Sequence, residues 1–347
     1  MRILLANLTL ANLAGSETWT ATLARQLKCA GHEVTCFSPT LGVIAQRLEA
    51  DGIRCTDSLP ASDAAKPFSI ILEPKHDLDF DCIFSNHHDV TTFLRGRFPD
   101  KTIISTIHGV LHTMQDKKGQ TVPAPEHPAV GKADVFVAVS EEVQAKLATD
   151  YGIKSVIIRN FFDLTHFKSK RKPAEGKPKQ FLINTNYAEK NDKEILILKE
   201  VTKHYGARLT AVGQNFTQTD DTRRAIEDAD VVLGMGRSVL EGVAMGRLGI
   251  VHGRWGTGGI VNDQNLETLR NCNFSGRNSG GDFWTVEKFI EEIDANYKPE
   301  VLAWGMDYIR REHDVVKAAS EYVLFGSATK AAAPAPLRKL KFQNNVA

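Results

Sequence analysis

The chain has 347 residues, 42% of them hydrophobic, and its 43 lysines and arginines are balanced by 42 acids. That length exceeds the usual span of one hydrophobic core and favours two domains, while the balanced charge carries no bulk signature of a nucleic-acid or acidic partner. Five cysteines (Cys29, Cys36, Cys55, Cys82 and Cys272) stand without CxxC spacing, which points to free thiols packed as small hydrophobes in a reducing compartment and away from disulfides or zinc.

The opening MRILLANLTLANLAGSE reads as a first strand over residues 2–6, since Asn7 and Asn12 break the apolar run that a signal peptide needs. Helical spacing of Trp19, Leu23 and Leu27 predicts a helix over 17–30 ended by Gly31, and a second strand follows over 33–37. This β-loop-α-β unit opens a parallel sheet with a right-handed crossover. Further strands are expected at 53–56, 82–85, 102–106 and 135–139, with helices at 42–50, 90–98 and 141–151; residues 59–79 carry no clear pattern. No run approaches the roughly 18 apolar residues that span a membrane, so a cytoplasmic, soluble chain is the expectation.

A basic, proline-containing run, KSKRKPAEGKPK (168–179), reads as a solvated connection. After it a second alternating series begins, with strands at 180–184, 208–212, 231–233 and 249–251 and helices at 193–204, 221–229 and 239–245. Its most informative part is ADVVLGMGRSVLEGVAMGRLGIVHG, from Ala229 to Gly253: a strand, a glycine loop, a helix opened by Glu241, and another strand. Backbone N–H groups of Gly234 to Ser238 and the positive helix end would aim at an anion, phosphate first. Helical patterns at 286–295 and 299–325 follow, and 326–347 reads as a mobile tail whose LRKLKF segment leaves peripheral membrane contact open. The fold class expected is α/β, with two parallel-sheet domains facing a cleft.

Several segments, in order, resemble the GT-B glycosyltransferases and in particular glycosyltransferase family 4: AGSETWTATLARQLKCAGHEVTCFSP, STIHGV, ADVFVAVSEEVQAKLATDYGI followed by VIIRNFFDLTHF, ARLTAVGQ, and the 229–253 stretch. The similarity spans residues 1–261. It implies two Rossmann-like domains: an acceptor-side domain over 1–165, a nucleotide-sugar donor domain over 166–310, and a helix over 311–325 crossing back to the first.

The resemblance also implies roles. Gly15 and Ser16 lie in the family's glycine loop, facing donor phosphates and acceptor, where a glycine lets backbone approach a ligand or simply makes the turn; the first of the paired glycines is Ala14 here. His108, closing IISTI, should emerge at the carboxyl edge of the sheet and contact the transferred sugar, with an ordinary structural histidine as the rival. Lys190, in NYAEKND, matches the lysine that neutralises the leaving diphosphate. The arginine expected about five residues earlier is Thr185, and Arg159, Arg237 and Arg254 are its possible spatial substitutes. Glu241 would accept the ribose diol, with Gly236, Arg237 and Ser238 at the diphosphate and Gly213 beside the nucleotide. An acid expected eight positions before Glu241 is Leu233. Gly256, Gly258 and Gly259 form either another backbone cradle or a flexible loop. His87, His88 and Asp89 alternate faces on an extended chain, which argues against a metal site.

The resemblance implies a metal-independent, retaining glycosyltransferase using a nucleotide-sugar, UDP-sugar favoured, as substrate and needing no cofactor, with a glycan, lipid-linked or other hydroxyl acceptor. The alternatives are a noncatalytic nucleotide-sugar or glycan-binding subunit, suggested by Leu233 and Thr185, and a nucleotide-sugar epimerase of related architecture. A nicotinamide dehydrogenase is disfavoured because the first loop lacks GxGxxG and FSPT lacks a ribose-binding acid.

Overall fold

Short apolar runs, most of them buried along nearly their whole length, build the sheets of the computed structural model, which describes residues 1–12, 15–58, 80–110, 131–219 and 221–328 and the backbone of 113–115 and 121–123. The first series runs β1 (Arg2–Ala6), α1 (Gly15–Cys29), β2 (Glu33–Phe37), α2 (Val43–Ala50), β3 (Arg54–Thr56), β4 (Cys82–Asn86), α3 (His88–Arg97) and β5 (Thr102–Ile107). After the short strands β6 (Thr113–Gln115) and β7 (Thr121–Pro123) it closes with β8 (Val135–Ala138), α4 (Glu141–Tyr151) and β9 (Val156–Ile157). The second series is β10 (Gln180–Asn184), α5 (Lys193–Tyr205), β11 (Arg208–Val212), α6 (Thr222–Asp228), β12 (Val231–Gly234), α7 (Arg237–Ala244), β13 (Leu248–Gly253) and β14 (Gly256–Ile260). Helices α8 (Leu266–Asn271), α9 (Val286–Asn296), α10 (Pro299–Glu312) and α11 (Val315–Ala328) complete the described chain.

Two sheets result, as the alternation predicts. The first has order β3-β2-β1-β4-β5-β8-β9 and is parallel throughout; the second has order β11-β10-β12-β13-β14. In each, the strand order reverses beside the first strand of the series, between β1 and β4 and between β10 and β12. Crevices at the carboxyl ends of such reversals are where open α/β sheets hold ligands. The short β6–β7 hairpin pairs separately and antiparallel.

Three expectations are corrected. The glycines Gly256, Gly258 and Gly259 do not form a loose loop: they lie in β14, which pairs antiparallel with β13. A Cβ at Gly256 would come within 2.2 Å of the Ser279 hydroxyl, so chain packing alone explains that glycine. The helix expected over 299–325 is two helices. It breaks at His313 because the Phe162 N–H donates to the His313 carbonyl at 2.9 Å and the Val315 N–H donates to the Phe162 carbonyl at 3.1 Å, which turns the chain out of helical register. Residues 59–79 and the tail beyond 328 lie outside the described residues, although α11 carries the helix to Ala328.

The third correction concerns the 168–179 run, which is surface chain but firmly tied. Asp230 is fully buried and accepts from the Arg171 guanidinium at 2.7 Å and from the N–H groups of Ala174, Lys179 and Gln180 at 2.9, 2.8 and 3.0 Å. Buried Arg247 spends its own N–H groups on the carbonyls of Arg171, Ile226 and Glu227 and on the Ser169 hydroxyl. A connection that reads as solvated from its lysines is therefore anchored by two buried charges, each making four hydrogen bonds, as burial demands.

After α10 the chain returns to the first sheet. Helix α11 packs on α1, β4 and β5, and the Tyr322 hydroxyl hydrogen-bonds Thr106 at 2.8 Å. Among the described residues no helix is long and apolar enough to cross a membrane, and all five cysteines are free.

Two predictions follow from the buried charges and rings. Burial pushes the Asp230 carboxyl up, but the amides of Ala174 and Lys179 and the Arg171 guanidinium outweigh it and hold it below its ordinary value. Its stabilisation is complete above about pH 4, its unfolded range, and drains as pH falls through the lower folded value. Asp230→Ala should cost about 3 kcal/mol in urea unfolding at pH 7, because it strands Arg171 and three amides. His252 and His313 are buried and each is lowered to about 4, burial being the first cause in both. Both take up protons only on unfolding between about pH 6.5 and 4, so stability should fall with acid across that window, by up to about 2.7 kcal/mol per pH unit. A urea midpoint that stays flat from pH 7 to 5 would show these rings are not enclosed in the folded chain.

Candidate active site

The carboxyl edge of the first sheet presents residues from β4, β5 and α1. Asn86 ends β4 fully buried, and its amide Nδ2 donates to the Thr20 hydroxyl at 3.2 Å. Its Oδ1 is thus the acceptor for His108 Nε2 at 3.1 Å, which fixes the imidazole tautomer and leaves Nδ1 with its lone pair. Trp19 of α1 meets the same ring edge-on at 5.4 Å. Half-buried His108 is lowered to about 3, first by burial and then by the charges of His87 and Arg237, so the ring is neutral at physiological pH. Trp19 also packs on the Phe161 ring at 5.1 Å, and the Phe161 carbonyl accepts from Arg237, which opens α7 on the second sheet, so the two sheet edges come to one place.

On the second sheet, β12 delivers Gly234 and α7 begins at Arg237. Gly236 adopts φ 53° and ψ −123°, and its N–H donates to the Phe274 carbonyl at 2.8 Å. The Ser238 N–H donates to the Met235 carbonyl at 3.1 Å. The expectation that this loop offers all its N–H groups to an anion is thereby corrected: these two are spent on the chain itself. Arg237 donates to the Phe161 carbonyl at 3.1 Å and to Glu241 Oε1 at 3.2 Å, with its guanidinium 5.0 Å above the Phe162 ring. Glu241 is buried, and its other oxygen accepts from the Thr222 hydroxyl at 3.1 Å. It sits one turn into α7, four residues after Arg237, and not in the first turn; its burial and pairing, rather than the helix dipole, define its setting.

The remaining expected residues are placed as follows. Gly15 opens α1, is exposed, and a Cβ there would touch nothing, so no turn geometry demands a glycine; Ala14 lies outside the described residues. The Ser16 hydroxyl donates to Glu17 Oε2 at 2.8 Å. Gly213, at φ 135°, must be glycine because a Cβ would fall 1.8 Å from the Thr185 carbonyl oxygen; the close approach is the chain's own. Thr185 is buried and its hydroxyl accepts from the Tyr187 N–H at 3.2 Å, forming a turn. Lys190 is exposed in the loop after β10, on the same sheet edge as the glycine loop, since Asn184 pairs with Gly234. Leu233 is fully buried in β12.

Sequence reasoning missed one electrostatic neighbour. Glu17 is only 4% exposed and its charge acts on His87, which caps the start of α3 with φ 67°, a backbone state costly for a side-chain-bearing residue. Burial lowers the His87 imidazole, with His88 adding to the effect and Glu17 and Asp89 opposing it. The doubled histidine at a strand end is the local signal for it; among the described residues no cluster suits a metal ion.

The Glycosyltransferase Family 4 model matches residues 13–166. No curated protein matches the chain in sequence. Among solved structures, a glycosyltransferase from Rickettsia africae is 13% identical with a TM-score of 0.59, covering 94% of this chain and 98% of its own. HepE of Anabaena, solved with UDP and glucose, is 12% identical with a TM-score of 0.60, covering 94% of this chain and all of its own. Sucrose-phosphate synthase of Thermosynechococcus elongatus is 12% identical with a TM-score of 0.54, covering 96% and 100%. Two α/β sheets meeting at His108 and Arg237, with this pattern of likeness, make the chain a GT-B-fold protein that resembles glycosyltransferase family 4.

Proposed function

We propose that the chain is a glycosyltransferase that moves a sugar from a nucleoside diphosphate donor, a UDP-sugar before others, to an acceptor hydroxyl, with retention and without a metal. The observation that carries the reading is the chain of contacts across the junction of the two sheets: Trp19 meets the His108 ring at 5.4 Å and the Phe161 ring at 5.1 Å, and the Phe161 carbonyl accepts from Arg237, which also holds Glu241. It is supported by the family likeness over 13–166 and by the fold shared with HepE, which has been solved with UDP-glucose. Residues 166–310 hold the donor, 1–165 the glycan, lipid-linked or other hydroxyl acceptor, and 311–325 crosses back; the setting is cytoplasmic.

In this mechanism the bond from the anomeric carbon to the diphosphate oxygen breaks and its electron pair stays on that oxygen. The acceptor oxygen bonds the anomeric carbon on the same face, and its proton passes to the departing phosphate. Lys190, Arg237, Ser238 and the Gly236 turn face the diphosphate, where a fixed positive field lowers the barrier to departure. Glu241 takes the ribose diol on lone pairs left over from Arg237 and Thr222. Gly15, Ser16 and Gly213 border the ligand, and the neutral His108 offers a hydrogen bond to the sugar without competing for the acceptor's proton.

Incubation with a panel of UDP-, GDP- and ADP-sugars should show one donor bound and slowly hydrolysed, and Glu241→Gln should weaken that donor about tenfold or more. A chain that binds none of them sinks the reading. Binding without turnover, even with cell extract as acceptor source, would instead mark a noncatalytic subunit, and conversion of donor alone an epimerase. The rate should show no limb near pH 6.5 attributable to His108; a limb there that His108→Gln abolishes would show that the ring titrates.

A further inference from the structure

The arginines at the junction of the two sheets are matched to carboxylates. Arg159 and Arg270 meet Glu141, Arg277 meets Glu142, and Arg237 meets Glu241. Arg254 differs. It directly follows β13, is exposed, and has neither hydrogen-bond nor ion-pair partner among the described residues. Its guanidinium lies 4.3 Å from the centre of the Trp255 ring and 5.0 Å from that of Tyr187. Ring contacts of this kind use the flat faces of a guanidinium and leave its in-plane N–H donors open to a second partner.

The position of this contact is informative. Tyr187 belongs to the loop after β10, Arg254 to the loop after β13, and β12 lies between those strands. The contact therefore passes over the carboxyl end of β12, where Gly234 leads into α7. Tyr187 is itself set by Thr185, whose hydroxyl accepts the Tyr187 N–H. Thus the residue that stands where an arginine is expected builds the turn that presents a ring to another arginine. Arg159 cannot serve in its place, being held by both oxygens of Glu141 at 2.9 and 2.6 Å, and Arg237, which faces the diphosphate in the proposed function, shares its guanidinium with Glu241 and the Phe161 carbonyl.

We propose that Arg254 is the cation that grips the donor's diphosphate, supplying from β13 the charge that position 185 lacks, with Tyr187 and Trp255 as its supports. This rests on the proposed function and assigns its leaving-group contact. The test is calorimetric titration of the full chain with UDP, GDP and ADP and with uridine, guanosine and adenosine. The wild-type chain should bind one diphosphate at least about tenfold more tightly than its nucleoside. Arg254→Gln should remove most of that preference while leaving the nucleoside affinity unchanged, Arg254→Lys should keep part of it, and Tyr187→Ala should weaken it where Tyr187→Phe does not. If Arg254→Gln and Arg254→Lys both keep the wild-type ratio, the assignment is wrong and the transferase reading stands. If the wild-type chain binds none of the diphosphates, both fall together.

Discussion

Two passes of the chain between the sheets hydrogen-bond to each other, and the geometry of the site depends on that contact. Phe162 on the outgoing pass exchanges backbone hydrogen bonds with His313 and Val315 on the return. The His313 ring joins the same place, bonding the Asn160 carbonyl through Nδ1 and the Tyr308 hydroxyl at 3.0 Å through Nε2. Residues 160–162 then serve both sheets. Asn160 reaches Asn273 at 3.0 Å, and Phe161 and Phe162 give Arg237 a carbonyl and a ring face. From this knot α11 runs to Thr106, one residue before the end of β5, which presents His108. Both walls of the site are thus referred to one buried point.

The ion pairs across the same junction are of another kind. Arg277 with Glu142 and Arg270 with Glu141 keep about a quarter to a third of their side-chain surface exposed. Pairs of that exposure contribute tenths of a kcal/mol to about 1 each and weaken with salt. The backbone bonds and ring of the crossing are sheltered from solvent, and a buried imidazole left without its partners would carry a desolvation cost of roughly 1–3 kcal/mol. Position is therefore held by the crossing, and the surface charges adjust it.

Much of the fold was legible because the strands are buried on both faces and read as continuous apolar runs, as in RILLA and CIFSN, and because helices such as α1 keep their apolar residues at helical spacing. What was illegible depended on contacts between distant residues. Nothing in GTGGIVND signals an antiparallel edge strand, since Gly256 is explained only by Ser279 pressing on it. The break at His313 exists only because Phe162 lies alongside. KSKRKPAEGKPK reads as solvated because the residue that anchors it, Asp230, is fifty positions away. At the site, His108, Arg237 and Glu241 could be named from local pattern, whereas the influence of Glu17 on His87 needed the fold to bring α1 to the end of β4, where Thr20 meets Asn86.

The acid that seemed missing at Leu233 has a geometric explanation. Successive residues on a strand face opposite sides of the sheet. Val232 faces α7, where Gly242 must be glycine because a Cβ would lie 2.7 Å from the valine side chain, and both belong to the side that packs Val239, Leu240 and Val243. Leu233 faces the other way, into the core formed with α5 and α9. A carboxylate there would be buried among Ile183, Ile250 and Phe289, far from any ligand at α7 and at a desolvation cost no neighbour offsets. Counting eight residues back from Glu241 lands inside the sheet because the loop between β12 and α7 is short, only Met235 and Gly236. The leucine is therefore a requirement of the core and not a sign of lost chemistry. Whatever holds the sugar must come from the loop, from the first turn of α7, or from neighbouring strand ends on the same edge.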